Sequence, residues 1–191
     1  MVKKLNRKFY DRPTLKVAKE LLGKYLVVKM DGEILSGKIV ETEAYIGYKD
    51  PASHAYRGMT PRNKVMFGNP GYAYVYFTYG MHHCLNLVTE KKEYPAAVLI
   101  RALEPTSGIE SMKKRRRRKD MKDLASGPAK LCQALGIDLK LNGVDLCSET
   151  IYVEDRGETI EKTGSSSRIG VTEEKRRKWR YFVRNSEYVS R

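Results

Sequence analysis

Tyr25-Leu-Val-Val-Lys-Met30, Asp31-Gly32, Glu33-Ile-Leu-Ser-Gly-Lys38-Ile-Val-Glu41-Thr-Glu43-Ala-Tyr45 is the stretch on which the fold turns. β-Branched and aromatic residues fill both runs, and Asp-Gly between them is the two-residue hairpin signal, because both central residues of such a turn need positive φ. Strands are therefore predicted over Tyr25–Met30 and Glu33–Tyr45. Farther along, Tyr72 to Val88 reads as a second hairpin turning near Gly80, and Ala96–Leu103 as a further strand. Asp11-Arg12-Pro13, then Leu15, Ala18, Leu21 and Leu22 with Gly23 behind them, predicts a short helix with Pro in its first turn and Gly past its end. Ser107-Gly-Ile-Glu110 has capping-box spacing and predicts a helix start, and Gly127-Pro128 precedes the helical pattern of Leu131, Ala134 and Leu135, closed by Gly136. With Tyr181–Val183 as a final strand, helices and strands segregate. The expected fold class is α+β with a mixed sheet, not a series of βαβ units.

A chain of 191 residues with neither an internal repeat nor a long linker is expected to form a single domain, 1–191. Its hydrophobic fraction of 41% supports a core, which excludes a disordered polymer. No apolar run approaches the roughly 18–20 residues that span a bilayer. The opening Met-Val-Lys-Lys-Leu-Asn-Arg-Lys carries charges with no apolar segment behind them, so membrane and secreted classes are set aside. Cys84, Cys132 and Cys147 are odd in number, widely spaced and lack a C-x-x-C pair, which indicates a reducing compartment and neither a disulfide framework nor a zinc knuckle.

Lys and Arg number 37 against 23 Asp and Glu, a net charge of +14 that calls for a polyanionic partner. Nucleic acid is the first candidate; an anionic membrane face is another. Two runs concentrate the charge: the seven consecutive cations Lys113–Lys119, and Lys175-Arg-Arg-Lys-Trp179-Arg180 around the single Trp. Like charges this dense repel one another, so Lys113–Lys119 is expected to be a mobile loop that grips phosphates.

Candidate chemistry begins on the second strand. Side chains alternate along it, so Glu41, Glu43 and Tyr45 are expected on one face and Val40, Thr42 and Ala44 on the other. Two carboxylates beside a phenol can activate a water against a glycosidic or ester bond, although a solvated strand face reads the same way. Seven of the 13 tyrosines fall between Tyr45 and Tyr79, and alternation puts Tyr72, Tyr74 and Tyr76 together with Tyr79 sent toward the turn. Beside a basic surface such rings are stacking platforms for bases, or simply β-sheet core. His54, His82, His83 and Cys84 suggest a metal site only weakly, since neighbours on a strand point to opposite faces. Arg101, inside the apolar run Leu99-Ile-Arg101-Ala-Leu, needs a carboxylate partner, and Glu43 or Glu41 can supply it.

Taken together these segments resemble the alkyladenine, or 3-methyladenine, DNA glycosylases. Val40-Glu-Thr-Glu-Ala-Tyr45, Thr60-Pro-Arg-Asn63 with Met66-Phe67, Tyr76 through Tyr79-Gly80-Met81 to Asn86, and Arg101-Ala-Leu-Glu-Pro105 carry the resemblance. Ser126–Leu135 and Tyr181-Phe-Val-Arg184 extend it over nearly the whole chain. It implies a mostly antiparallel curved sheet with flanking helices and a protruding β-hairpin. The implied activity is that of a monofunctional enzyme cutting the N-glycosidic bond of 3-methyladenine, 7-methylguanine or hypoxanthine in DNA, with no cofactor and no metal. The implied partner is double-stranded DNA containing damaged purines, bound by a monomer in the cytoplasm, on the nucleoid of a prokaryote or in the nucleus of a eukaryote. By resemblance Glu43 is the base that activates water, and Arg101 and the carbonyl of Val183 help to hold that water. Tyr45, His54, Tyr76, Asn86 and Leu99 surround the base, and Tyr79 is the wedge that fills the gap it leaves. Met81 and His82 contact DNA beside the wedge, and Lys130 and Ser186 contact phosphates. Two other readings stay open: a non-catalytic RNA-binding module, which leaves Arg101 unexplained, and a nuclease needing a divalent ion.

Overall fold

The residues flanking Asp31-Gly32 pair as predicted, Tyr25 opposite Lys38 and Met30 opposite Glu33. The computed structural model describes residues 2–30 and 32–190, so the turn position Asp31 lies outside the described residues. In chain order the elements are β1 (Lys3–Lys4), α1 (Arg7–Tyr10), α2 (Thr14–Glu20), β2 (Tyr25–Met30), β3 (Glu33–Ile46), β4 (Ala73–Thr78), β5 (His82–Val88) and β6 (Ala96–Ser107). α3 (Ile109–Arg116), α4 (Pro128–Leu135), β7 (Ile151–Asp155), β8 (Thr163–Ser166) and β9 (Arg180–Val183) complete them. Among the described residues one nine-stranded sheet runs β1-β7-β2-β3-β6-β5-β4, with β9 on the free side of β3 beyond the end of β2, and β8 paired to β9. The fold is α+β, and every pairing among the described strands is antiparallel.

The two faces of the sheet have different tasks. Helix α2 with the Leu21 that caps it, and helix α4, bury Val17, Leu21, Leu131 and Leu135 against Val75, Leu85, Leu87, Val98 and Ile100, which forms the main core. A smaller cluster of Ala55, Met66, Phe67, Tyr74, Val88 and Ala97 packs on the opposite face. Period-2 alternation assigns β4, β5 and the first half of β6 to both faces at once, so odd and even positions read as two separate surfaces.

Strand β3 breaks that rule in its middle. Leu35 and Ile39 point into the main core, yet so does Ala44, an even-numbered position. The parity changes because Ile39 pairs with Leu103 while Glu41 pairs with Ala102, which leaves Val40 as an extra residue. Thr42 then pairs with Ile100, which leaves Arg101 as an extra residue on β6. Back-to-back bulges of this kind re-aim side chains without lengthening either strand. The expectation that Val40 shares a face with Thr42 and Ala44 is therefore corrected: Val40 lines a shallow hollow with Lys38 and Glu104.

Other expectations are corrected in the same way. Ser107 does not cap α3; it ends β6 opposite Ser36, and Gly108, at φ 72°, occupies the N-cap with no side-chain bond. Four of the seven residues of the basic run are not in a loop. Lys113–Arg116 lies in α3, where Arg115 pairs with Glu33 and Arg116 bonds Gln133 and the carbonyl of Leu124. These partners supply the countercharge and acceptors that the run lacks within itself. Elements β1, α1, β7 and β8 fall outside the sequence-based expectation: Thr163-Gly-Ser-Ser of β8 has little strand propensity and is held by β9 alone, whereas Ile151-Tyr-Val of β7 has ordinary strand composition and pairs with both β1 and β2.

Candidate active site

Register places the side chains. Glu43 pairs with Leu99, Leu99 with Asn86, and Asn86 with Tyr74, a row across four strands on the face away from the helices. Above this row lies a cavity of about 420 Å³, within the usual range for small-molecule sites. Tyr45, His54, Tyr74, Tyr76, Asn86 and Leu99 are among its lining residues, and Arg101 and Ile169 close it at the β3 end. Of the residues read as surrounding a base, the structure brings all five together.

Aromatic geometry shapes the walls. The His54 ring meets Tyr76 edge to face at 4.6 Å, and Tyr76 tilts against Tyr74 at 5.4 Å. His54 Nδ1 lies 3.0 Å from the Tyr74 hydroxyl. Desolvation, with Arg62 nearby, pulls His54 down to about 4, so the imidazole is neutral at pH 7. Burial pushes Tyr74 up to about 12 and raises Tyr45 and Tyr76 as well, so all three phenols remain donors. Asn86 is nearly buried and donates through Nδ2 to the Tyr74 carbonyl at 3.2 Å.

Behind the cavity stand the two carboxylates, both with no exposed surface. Glu41 accepts from Arg101 Nε at 3.0 Å, Arg180 Nε at 2.6 Å, Ser190 N at 2.7 Å and Ser190 Oγ at 2.8 Å. Three of these bonds crowd Oε1, and of the donors only Arg101 lines the cavity, so Glu41 is held by groups outside it and is structural. Glu43 accepts from Tyr45 Oη at 2.8 Å, Arg101 Nη1 at 3.2 Å and the Ile169 amide at 2.7 Å. One acceptor position on Glu43 stays free. Its three donors all line the cavity. Burial lowers the basicity of Arg101, but Glu43 and Glu41 outweigh it, so its pKa is raised and the guanidinium stays charged.

Val183 is not at this site. It lies in the shallow hollow with Val40, and its carbonyl faces the Ser186 amide at 3.5 Å, while Arg180 is the residue opposite Glu43 in β9. Ser186 shares that hollow. The backbone at Glu43 is that of Ile169, which sequence reasoning missed along with its neighbour Arg168. Arg168 is buried and bidentate to Asp50, at 2.6 and 2.7 Å. A charge inside Ser-Ser-Ser-Arg-Ile-Gly had no apolar context to mark it, unlike Arg101.

The hairpin tip between β4 and β5 projects from the cavity rim. Tyr79 is 84% exposed at φ 51°, an uncommon conformation for a side-chain-bearing residue, and Met81 is 70% exposed. His82 lies in a neighbouring groove of about 690 Å³ with Lys130 and Arg116, and Arg101 reaches both spaces. Lys130, at the start of α4, bonds Ser126 Oγ at 3.3 Å. His54 and His82 thus line different spaces. Among the described residues no three His, Cys, Asp or Glu side chains come together as metal ligands, and no helix is long and apolar enough to cross a membrane.

An aromatic-walled cavity with Glu43 behind it thus lies beside the exposed Tyr79 ring, on a chain of net charge +14. The chain belongs to the methylpurine-DNA glycosylase family, whose model matches residues 8–187. It is similar to a protein of Methanocella arvoryzae provisionally named 3-methyladenine DNA glycosylase, 54% identical over 192 residues that cover 98% of this chain and 96% of that one. A relative of the same provisional name in Carboxydothermus hydrogenoformans is 53% identical, with 98% of each covered, and one in Alkaliphilus oremlandii is 48% identical over 98% of this chain and 99% of its own. The protein is accordingly a DNA glycosylase, and DNA is its partner.

Proposed function

We propose that this glycosylase excises alkylated and deaminated purines, 3-methyladenine, 7-methylguanine and hypoxanthine among them, by flipping the base and attacking the sugar with a water held by Glu43. The observation that carries the reading is where the donors lie: all three donors to Glu43, from Tyr45, Arg101 and Ile169, line the cavity, whereas of the donors to Glu41 only Arg101 does. A base in a duplex hides its glycosidic carbon, and unstacking it costs a few kcal/mol, part of which an inserted Tyr79 offsets. The flipped base lies between His54, Tyr76 and Tyr45 over Asn86 and Leu99. Water adds through oxygen to the sugar carbon and gives its proton to Glu43, while the bond to the base nitrogen breaks and its electron pair leaves with the base. Positive charge on the sugar in the transition state is stabilised by the anionic carboxylate. Cationic alkylpurines depart as neutral bases, which makes them the easier substrates. The chain acts as a monomer, and His82, Met81 and Lys130 meet the DNA beside the wedge.

The test is a duplex with one hypoxanthine, incubated in EDTA and then treated with alkali. Strand cleavage appearing only after alkali is expected. Cleavage that requires a divalent ion, or intact strands with hypoxanthine, 7-methylguanine and 3-methyladenine alike, overturns the reading.

A further inference from the structure

The segment carrying Ile169 has no regular secondary structure, yet its amide is aimed at Glu43 within 2.7 Å. Something other than a helix or a ladder must fix it. The adjacent residue supplies the means. Arg168 donates Nη1 to Asp50 Oδ2 and to the Ala44 carbonyl, and Nη2 to Asp50 Oδ1, with neither charged side chain exposed at all. Its guanidinium also lies over the rings of Tyr45, at 4.6 Å, and Trp179, at 5.2 Å. A planar fork held at both prongs has one orientation, so the peptide that follows inherits it. Two of the three donors to Glu43 therefore depend on one arginine, Ile169 through the chain and Tyr45 through the ring face.

We propose that Arg168, clamped by Asp50, is a positioning residue for the hydrolytic step: it aims the Ile169 amide and the Tyr45 hydroxyl at Glu43, and so holds the carboxylate's remaining acceptor toward its water. This rests on the reading of Glu43 given above. Arg168 is not among the residues that line the cavity, so it acts only through those two neighbours. Its partner Asp50 stands at the corner just after β3 and accepts from the Ile46 amide at 3.3 Å, so the clamp ties the segment 168–172 to the strand that bears the carboxylate.

Arg168→Lys keeps the charge but cannot form the fork, and Asp50→Asn removes the countercharge and leaves a single acceptor oxygen at residue 50 beside the Ala44 carbonyl. Each variant is compared with the parent in single-turnover release of hypoxanthine at saturating duplex, and in affinity for a duplex carrying a tetrahydrofuran abasic analogue. Both are read well below the thermal midpoint of each protein. A misaimed catalytic group is expected to slow release about 10- to 100-fold, with affinity within about threefold of the parent. The Ile169 amide resonance, displaced in the parent when Glu43→Gln is introduced, is expected to be insensitive to that change in the Arg168→Lys background. A release rate within about threefold of the parent overturns the proposal, as does a loss of rate matched by an equal loss of affinity. Should Arg168→Lys not fold, Asp50→Asn carries the same two outcomes. A parent protein that releases no base overturns the assignment of Glu43 itself, which is a different result from an active parent with active variants.

Discussion

Glu43 and Asn86 are both register partners of Leu99, so they stand two strands apart in one row of the sheet. Strand spacing alone sets their backbones about 10 Å apart. Neither side chain contributes to that separation, and replacing one leaves the other where it was. Their roles can therefore be tested separately.

Glu43→Gln preserves shape and most hydrogen bonds but removes the base. Loss of a general base slows reaction by roughly 10²–10⁴, and binding to lesion duplex is expected to be nearly unchanged. Single-turnover release and equilibrium binding check this together. A variant within about tenfold of the parent rate would remove Glu43 from the mechanism.

Asn86 is predicted to screen out guanine. Its Nδ2 is committed to the Tyr74 carbonyl, so the side chain cannot swing aside for an exocyclic amino group. That group would clash or be buried without a partner, a penalty of about 1–3 kcal/mol. Asn86→Ser is expected to raise release of undamaged guanine relative to hypoxanthine by up to about 100-fold. The ratio of the two single-turnover rates is the measurement, and an unchanged ratio rules Asn86 out as the filter.

The basic run divides into two parts with different outcomes, four residues within α3 and three after it. Arg115 and Arg116 are engaged within the fold, whereas Arg117, Arg118 and Lys119 follow the end of α3. Neutralising Arg117, Arg118 and Lys119 is expected to flatten the log–log dependence of DNA affinity on salt by about 0.9 for each phosphate that is no longer neutralised. Arg116→Ala instead is expected to lower stability by about 1–2 kcal/mol, because its hydrogen bonds to Gln133 and the Leu124 carbonyl disappear. Equal salt slopes for parent and triple variant would place the grip elsewhere.

His54 provides the pH test. Its folded-state pKa is depressed below the 6.5 of the unfolded chain, so the folded protein binds fewer protons. The stability this gives is present above pH 6.5 and is lost as pH falls toward 4. Solvent at the exposed side of the ring keeps the effect small. Ring-proton shifts are expected to titrate with a midpoint well below 6.5, and a midpoint at or above 6.5 contradicts the desolvated ring.

Arg101 and the Glu41, Glu43, Tyr45 face were legible because each violates its surroundings: a charge in an apolar strand, and acids in a strand-forming run. The hairpins were legible from alternation and turn chemistry, which are local. Val40 and Arg168 were not. A bulge is decided by two strands jointly, so nothing within Lys38-Ile-Val-Glu41 announces that parity changes there. Arg168 derives its importance from Asp50, distant in sequence, and its own neighbours Ser167 and Ile169 carry no periodic signal. Ser107 shows the opposite error, a capping-box spacing whose first residue the sheet had already claimed.

Pairing of β9 with the middle of β3 has a consequence for synthesis. Glu41 meets Phe182 in that ladder and receives Ser190, while Ile169 reaches back to Glu43. A ribosome releases the acids and Arg101 long before these C-terminal partners exist. During that interval the growing chain carries two carboxylates against one arginine, with Glu41–Glu43 of β3 unpaired on the side that β9 later takes. Pairings so far apart in sequence form late and slowly. The site around Glu43 is thus completed only when the chain has been made past residue 169, and a nascent fragment ending before residue 168 lacks the Ile169 and Ser190 donors to the two carboxylates.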